Sequence, residues 1–359
     1  FQEYLGRNPD DIEVLRKYAK ARMSVRPIEG PNIMQAIAGY RRILQLDPLD
    51  ETAYEELIKL YSYIRNFDEM AYIARNRIDA DPNDWQATLK LAEALFGQNK
   101  PSEAQKKLTE IITNLDPNPP AEYTEEYVQA CGLMSQIILN DVTVEDKSEA
   151  LTWLTRAVTN VPESVEALAF RAQYYRIKSQ MPGEDVQKNM DLARIDLENA
   201  TKLGTENPRI HLLLAEEWIA HGELDKAANE LQAAEALPQE KLEESFFDIK
   251  DWTLARFMLA TRVDGLKGNT AGAVEKVDKI LEELTERRHR ARILPTAIMF
   301  YVGVNRVSDA NDCLDEYIDA IYTQQADSAR RQSLAYLQAL VARGYGNPYG
   351  VINALQPFV

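Results

Sequence analysis

The side chains best able to do chemistry are few and poorly spaced for it. His211 and His221 are two of only three histidines, and they stand ten residues apart in one helical stretch. A metal held from a helix needs ligands on one face, as at i and i+4; a ten-residue step does not supply that pair, so His211 reads as a packing residue. Cys131 and Cys313 are the only cysteines, which leaves no disulfide framework and little material for zinc or haem. They read as small core residues on separate hairpins. No Ser/His/Asp set, Gly-x-Gly-x-x-Gly segment or phosphate loop stands in a strand-to-helix context, and the 15 glycines form no Gly-rich loop. On these grounds no catalytic residue, metal or cofactor is expected, and the chain reads as non-enzymatic. Five of the seven residues at 286–292 can be cationic in an otherwise acidic chain. Arginine's planar fork suits carboxylate and phosphate, but the run reads more simply as a solvated hairpin connection partly neutralised by Glu282, Glu283 and Glu286.

What must position these residues is a repeat. Acidic or amide residues beside proline recur from Asp47, Asp81, Asp116 and Asn207, and Pro48, Pro82 and Pro117 fall 34 and 35 residues apart. Between the marks, apolar residues recur at three- and four-residue steps with a polar break near the middle, the pattern of a helical hairpin. Each second helix carries a small residue, a large apolar one four later and another three after that. Ala36/Tyr40/Ile43, Ala104/Leu108/Ile111, Ala150/Leu154/Ala157, Ala193/Leu197/Ala200, Ala227/Leu231/Ala234, Ala273/Val277/Ile280 and Ala310/Leu314/Tyr317 follow it, with Met70 replacing alanine once. Twelve places earlier, in the first helix, stand Ala92, Ala215, Thr261 and Ile298. Antiparallel helices at 8 to 10 Å close only where one side chain is small. Breaks such as those beginning at Asn66, Asn99 and Gly268 are expected to cap the second helices. Glu230 reads as a surface residue. Unequal steps place inserted turns at 26–31, 139–146 and 179–185.

These residues resemble the tetratricopeptide repeat: Trp85, Leu91, Ala92, Leu95, Ala104, Leu108 and Pro117 follow its pattern, as do Leu214, Ala215, Trp218, Ala227, Leu231, Ala234 and Pro238. The resemblance implies an all-α fold, a right-handed superhelix of antiparallel hairpins. It is read as one array over 1–359, with about eight hairpins and partial repeats at both ends. Phe1, Tyr4 and Pro9 at one end, and Gly350, Ala354 and Pro357 followed by Phe358 and Val359 at the other, read as repeats cut through, hence as a fragment of a longer protein. Family members bind chain ends with polar residues on a stripe of each first helix. The same places here are more apolar: Leu89, Phe96, Ile177, Leu212, Glu216, Ile219, Met258, Arg262, Leu266 and Met299 are the candidate groove. The stripe is open to a partner, or else tight curvature buries it within the chain.

Forty-one Lys and Arg stand against 57 Asp and Glu, a net charge of −16. Such an excess repels phosphate backbones and anionic surfaces, so nucleic acid is excluded as a partner. No apolar run approaches the roughly 20 residues of a membrane span, so direct membrane insertion is not expected; cytoplasm and periplasm remain equally open. The expected function is a protein-interaction scaffold that grips an amphipathic or apolar segment in its groove, alone or within a larger assembly. The alternative is the positioning arm of an enzyme or secretion machine whose active or membrane domain lies elsewhere.

Overall fold

Turns marked by proline become helix starts in the computed structural model, which describes residues 1–25, 30–141, 143–144, 146–245, 249–285, 287–322 and 328–356. Most of the turn expected at 26–31 therefore lies outside the described residues, as do Glu286, Pro357, Phe358 and Val359. The chain forms two compact units, 1–205 and 206–359. In the first, α1 (Gln2–Arg7) precedes five hairpins among the described residues. They are α2 (Ile12–Met23) with α3 (Gly30–Leu46), α4 (Glu51–Tyr63) with α5 (Phe67–Ala80), and α6 (Trp85–Gly97) with α7 (Pro101–Leu115). Then come α8 (Thr124–Asn140) with α9 (Ser148–Asn160), and α10 (Val165–Ser179) with α11 (Val186–Leu203). The second unit has four: α12 (Pro208–Ala220) with α13 (Leu224–Glu235), then, after the short α14 (Gln239–Ser245), α15 (Ile249–Leu266) with α16 (Thr270–Glu283). The last two are α17 (Arg287–Gly303) with α18 (Val307–Tyr322), and α19 (Ser328–Gly344) with α20 (Pro348–Leu355). No strand occurs among the described residues. The fold is all-α and TPR-like.

The repeat's punctuation has a local cause. In the turn before α4, Asp47 accepts a bond from the Leu49 N–H at 3.2 Å and Asp50 caps the helix through the Ala53 N–H at 2.8 Å. Before α6 the same work is done by Asp81 and Asp84, at 3.0 and 2.7 Å. Proline fixes the turn between them, and the acidic side chains satisfy N–H groups that no helix carbonyl reaches. Ser164 caps α10 in the same way. The expected caps on second helices are realised only in part: Asn66, Asp185 and Asn269 cap α5, α11 and α16, whereas α7, α9 and α13 have no side-chain cap. At α7 and α13 the turn itself is fixed by backbone geometry. Arg65, Asn99, Gly222, Gly268, Asn305 and Gly346 all have φ between 57° and 80°, and each stands two residues past the end of a first helix. A left-handed residue at that point reverses the chain, and glycine or asparagine adopts it at least cost.

Packing confirms the register. Ala36, Ala104, Ala150, Ala193, Ala227, Ala273 and Ala310 are fully buried, as are Ala92, Ala215 and Ile298 in the first helices. Backbone approach is closer still at Gly132 of α8, where a Cβ would stand 2.5 Å from the ring of Phe170 in α10. The longer step from Ala104 to Ala150 is absorbed by a 3-10 turn at Ala121–Tyr123 and the 17 residues of α8, and the step from Ala227 to Ala273 by α14.

Replacing Ala104 or Ala227 by leucine is expected to cost about 1–3 kcal/mol in urea unfolding, because a closed crossing has no room for three more carbons. Arg65→Gly is expected to gain about 0.5–1 kcal/mol, since only there does a long side chain occupy the left-handed turn. Equal midpoints for wild type and the alanine variants would place the crossings elsewhere.

Candidate functional site

Three successive first helices of the second unit, α12, α15 and α17, enclose a cleft of about 940 Å³. Each contributes a stripe at helical spacing: Leu212, Leu213 and Glu216 from α12, Met258 and Arg262 from α15, Thr296, Met299 and Phe300 from α17. Residues three and four apart share a helix face, so one face of each helix lines the cleft while the opposite face packs into the hairpin. The floor is core: Leu254 is buried with Ile280, Leu284 and Ile293, and Met258 rests against that cluster. Thr261, in the small-residue slot twelve before Ala273, also lines the floor; it is 2% exposed and its hydroxyl has no hydrogen-bond partner.

The rim is cationic. Arg209 donates from Nε to the Ser245 carbonyl at 2.7 Å, and Arg292 is paired with Asp251. Arg262 is exposed and makes no hydrogen bond or ion pair with any described residue. Glu216 is the single acidic side chain among the described lining residues. The arrangement offers an apolar trough edged by three arginines.

Of the ten residues expected to form a groove, the structure brings together Leu212, Glu216, Met258, Arg262 and Met299. Leu89 and Ile219, at 2% and 4% exposed, are core residues, a correction that follows from their place beside the crossings where each first helix meets its neighbour. Phe96 and Ile177 are half-buried in the first unit, and Leu266 is exposed one turn beyond Arg262 but does not line the cleft. Sequence reading does not single out Arg209 or Thr296 as lining residues, and it places Thr261 only at a helix crossing. Arg209 lies one turn before Leu212 on the same face and was legible from helical spacing. Arg292 was seen only as part of a charged run.

That run is largely spent on structure. Arg290 forks onto Glu316 of α18 and also donates to the carbonyls of Leu281 and Leu284 at the end of α16. Among the described residues its carboxylate partner is Glu316 rather than Glu282 or Glu283; Glu286 lies outside the described residues. His211 is buried, with Nδ1 2.7 Å from a carboxylate oxygen of Glu230. Glu230, read from sequence as a surface residue, is thus a buried partner; helical periodicity alone gives no sign of an acid facing inward. Burial pushes both the Cys131 and the Cys313 thiols up to about 12, which keeps them protonated and poor as nucleophiles. Among the described residues, no three His, Cys, Asp or Glu side chains are grouped to hold a metal ion.

No family model matches the sequence, and neither does any curated protein. Solved structures do resemble the fold. A monomeric mutant of IFIT1 with the capped oligonucleotide m7Gppp-AAAA is 15% identical, covering 96% of this chain and 70% of that one, with a TM-score of 0.51. The human IFIT1 dimer with m7Gppp-AAAA is 15% identical over 96% of this chain and 71% of that one, TM-score 0.49. The APC/C hetero-tetramer Cut9–Hcn1 is 14% identical over 90% of this chain and 59% of that one, TM-score 0.48. The exclusion of nucleic acid does not survive this comparison. A protein of the same fold holds a capped oligonucleotide, and the net charge of −16 is a sum over the chain that hides an arginine-edged cleft. Among the described residues, no helix is long and apolar enough to cross a membrane.

Glu230→Ala, which removes the carboxylate facing the His211 ring, is expected to cost about 1–3 kcal/mol, the penalty for stranding a buried polar group. Thermal unfolding of the variant checks it; a midpoint equal to wild type would mean that the pair carries no weight.

Proposed function

We propose that the chain is a non-enzymatic scaffold of tetratricopeptide-type hairpins, and that its cleft between α12, α15 and α17 holds an acidic amphipathic peptide segment. The observation that carries this reading is the pairing of aliphatic and methionine walls with three rim arginines against one glutamate. Leu212, Leu213, Met258, Leu259 and Met299 offer apolar contact to side chains of a helix or extended strand, and methionine adapts to varied shapes. Arg262, with no partner of its own, is free to meet a carboxylate. Burial of an anchor side chain there is worth roughly 25 cal/mol per Å² before ordering costs.

A second reading, single-stranded nucleic acid, is favoured by the fold shared with the oligonucleotide-bound IFIT1 mutant. The walls favour the peptide. Single strands are gripped largely by stacking bases on aromatic rings, and Phe300 is the one ring among the described lining residues.

Selection of a displayed random-peptide library on the full chain tests both. Enriched peptides are expected to combine leucine-like anchors with Asp or Glu, and to bind Leu212→Glu/Met299→Glu at least about tenfold more weakly, or about 1.4 kcal/mol. The melting midpoint of this double variant should stay within about 3 °C of wild type, since both side chains face the cleft and Met258, which rests on core, is left intact. A capped and an uncapped A-rich oligonucleotide, titrated by fluorescence anisotropy, form the second arm. No enrichment, or peptides that bind the double variant equally well, would sink the peptide reading; tight oligonucleotide binding lost in the same variant would favour the other.

A further inference from the structure

A second cavity, of about 330 Å³, lies wholly within the first unit between α3, α4 and α5. Its chemistry differs from that of the arginine-edged cleft. Tyr54 and Arg77 line it, and each presents a buried donor that nothing satisfies: the Tyr54 hydroxyl and Nη1 of Arg77 have no hydrogen-bond partner. Tyr54 is 1% exposed, so its hydroxyl has no bulk water to turn to. The two groups are held together, because the Arg77 guanidinium sits 4.6 Å above the Tyr54 ring while its Nε is fixed by Asp84 at 2.5 Å. Burial raises the Tyr54 hydroxyl far above the ordinary tyrosine range, with the nearby Asp84 charge adding to it. The group therefore remains protonated and able to donate.

Two unmet donors on residues that line one cavity ask for an acceptor, and native interiors seldom leave such groups unpaired. The charge balance narrows which one. Arg77 is already offset by Asp84, and Arg41 on the cavity wall by Glu69 at 3.3 Å. The surroundings are thus close to neutral, which suits a single negative charge better than the double charge of a phosphate. The rest of the lining is hydrocarbon from Leu44, Pro48, Leu57 and Ile73 and the side-chain amides of Gln45 and Asn76, with the ring of Tyr72, 55% exposed, beside it. Concave, mostly apolar cavities of this volume with a few convergent polar groups are the usual form of small-ligand sites.

We propose that this cavity is a binding site for a small monocarboxylate with an apolar body, its carboxylate accepting from Arg77 Nη1 and the Tyr54 hydroxyl. The site is independent of the cleft in the second unit, and neither proposal rests on the other.

Phenylacetate and hexanoate, titrated into the full chain by calorimetry and by saturation-transfer NMR, are the probes. Phenylacetamide and inorganic phosphate are the controls. Saturable binding of at least one acid is expected, with both controls at least tenfold weaker. Tyr54→Phe removes one oxygen and keeps the ring; it should weaken acid binding about fivefold while the free protein melts no lower than wild type, because an unmet hydroxyl has gone. Arg77→Lys, which keeps the charge but loses the fork, should weaken binding by a similar factor or more. Failure of both acids to bind would overturn the proposal, as would equal binding by Tyr54→Phe or by phenylacetamide. So would a Tyr54→Phe midpoint well below that of wild type, since the hydroxyl would then be satisfied by water in the free protein. A tripeptide ending in phenylalanine, compared with its amide, separates a free small acid from a chain end: tenfold tighter binding of the tripeptide than of phenylacetate would assign the site to a peptide terminus and refute the small-molecule reading.

Discussion

Seven of the nine described hairpins depend on the approach of two helices at a point where one side chain is nearly absent. The seven alanines of these second helices are fully buried, and Ala92, Ala215, Thr261 and Ile298, twelve residues before four of them, are buried too. A helix pair held this closely fixes its own crossing, and the next pair then has one surface on which to stack. That is why the alanines, rather than the larger leucines, keep the register: a leucine can be replaced by another apolar residue of like volume, but a closed crossing tolerates no added carbon.

From this constraint follows the site. Because second helices spend their small residues on the crossing, the faces left over on the first helices line up between neighbours. In the second unit the faces of α12, α15 and α17 leave a trough rather than closing over it. Thr261 marks the transition, since it occupies a crossing slot and also forms the floor of the cleft. Its hydroxyl is a polar group in a place where Ala92, Ala215 and Ile298 put only hydrocarbon. Arginine at the edge and methionine within give the trough a chemical character that the crossings themselves lack.

Polar groups turned inward follow two different logics. Glu230 facing His211 in the second unit is paired and serves to hold α12 against α13. Tyr54 is buried and Arg77 half-buried in the first unit, each with one buried donor unused. A satisfied inward pair is architecture, whereas an unsatisfied one is costly to retain in the absence of a ligand. Arg290 of the charged run belongs with the first kind: it bridges the end of α16 and the side of α18, and so closes a hairpin junction that lacks any proline turn.

The sequence by itself determined the helices, their pairing and the residues at each crossing, because small-residue spacing, capping acids and proline turns act within a few residues of one another. Met70 as the lone departure and the turns after each first helix were legible for the same reason. It did not determine which part of the apolar stripe is open. Leu89 and Leu212 occupy comparable places on their first helices, yet one is core and the other lines a cleft. Nor could spacing reveal that Glu230 faces inward, that Arg290 is spent on Glu316, or that Tyr54 and Arg77 share a cavity with donors unmet. Those outcomes depend on how far neighbouring hairpins close on one another, and that distance is set by contacts among residues far apart in the chain.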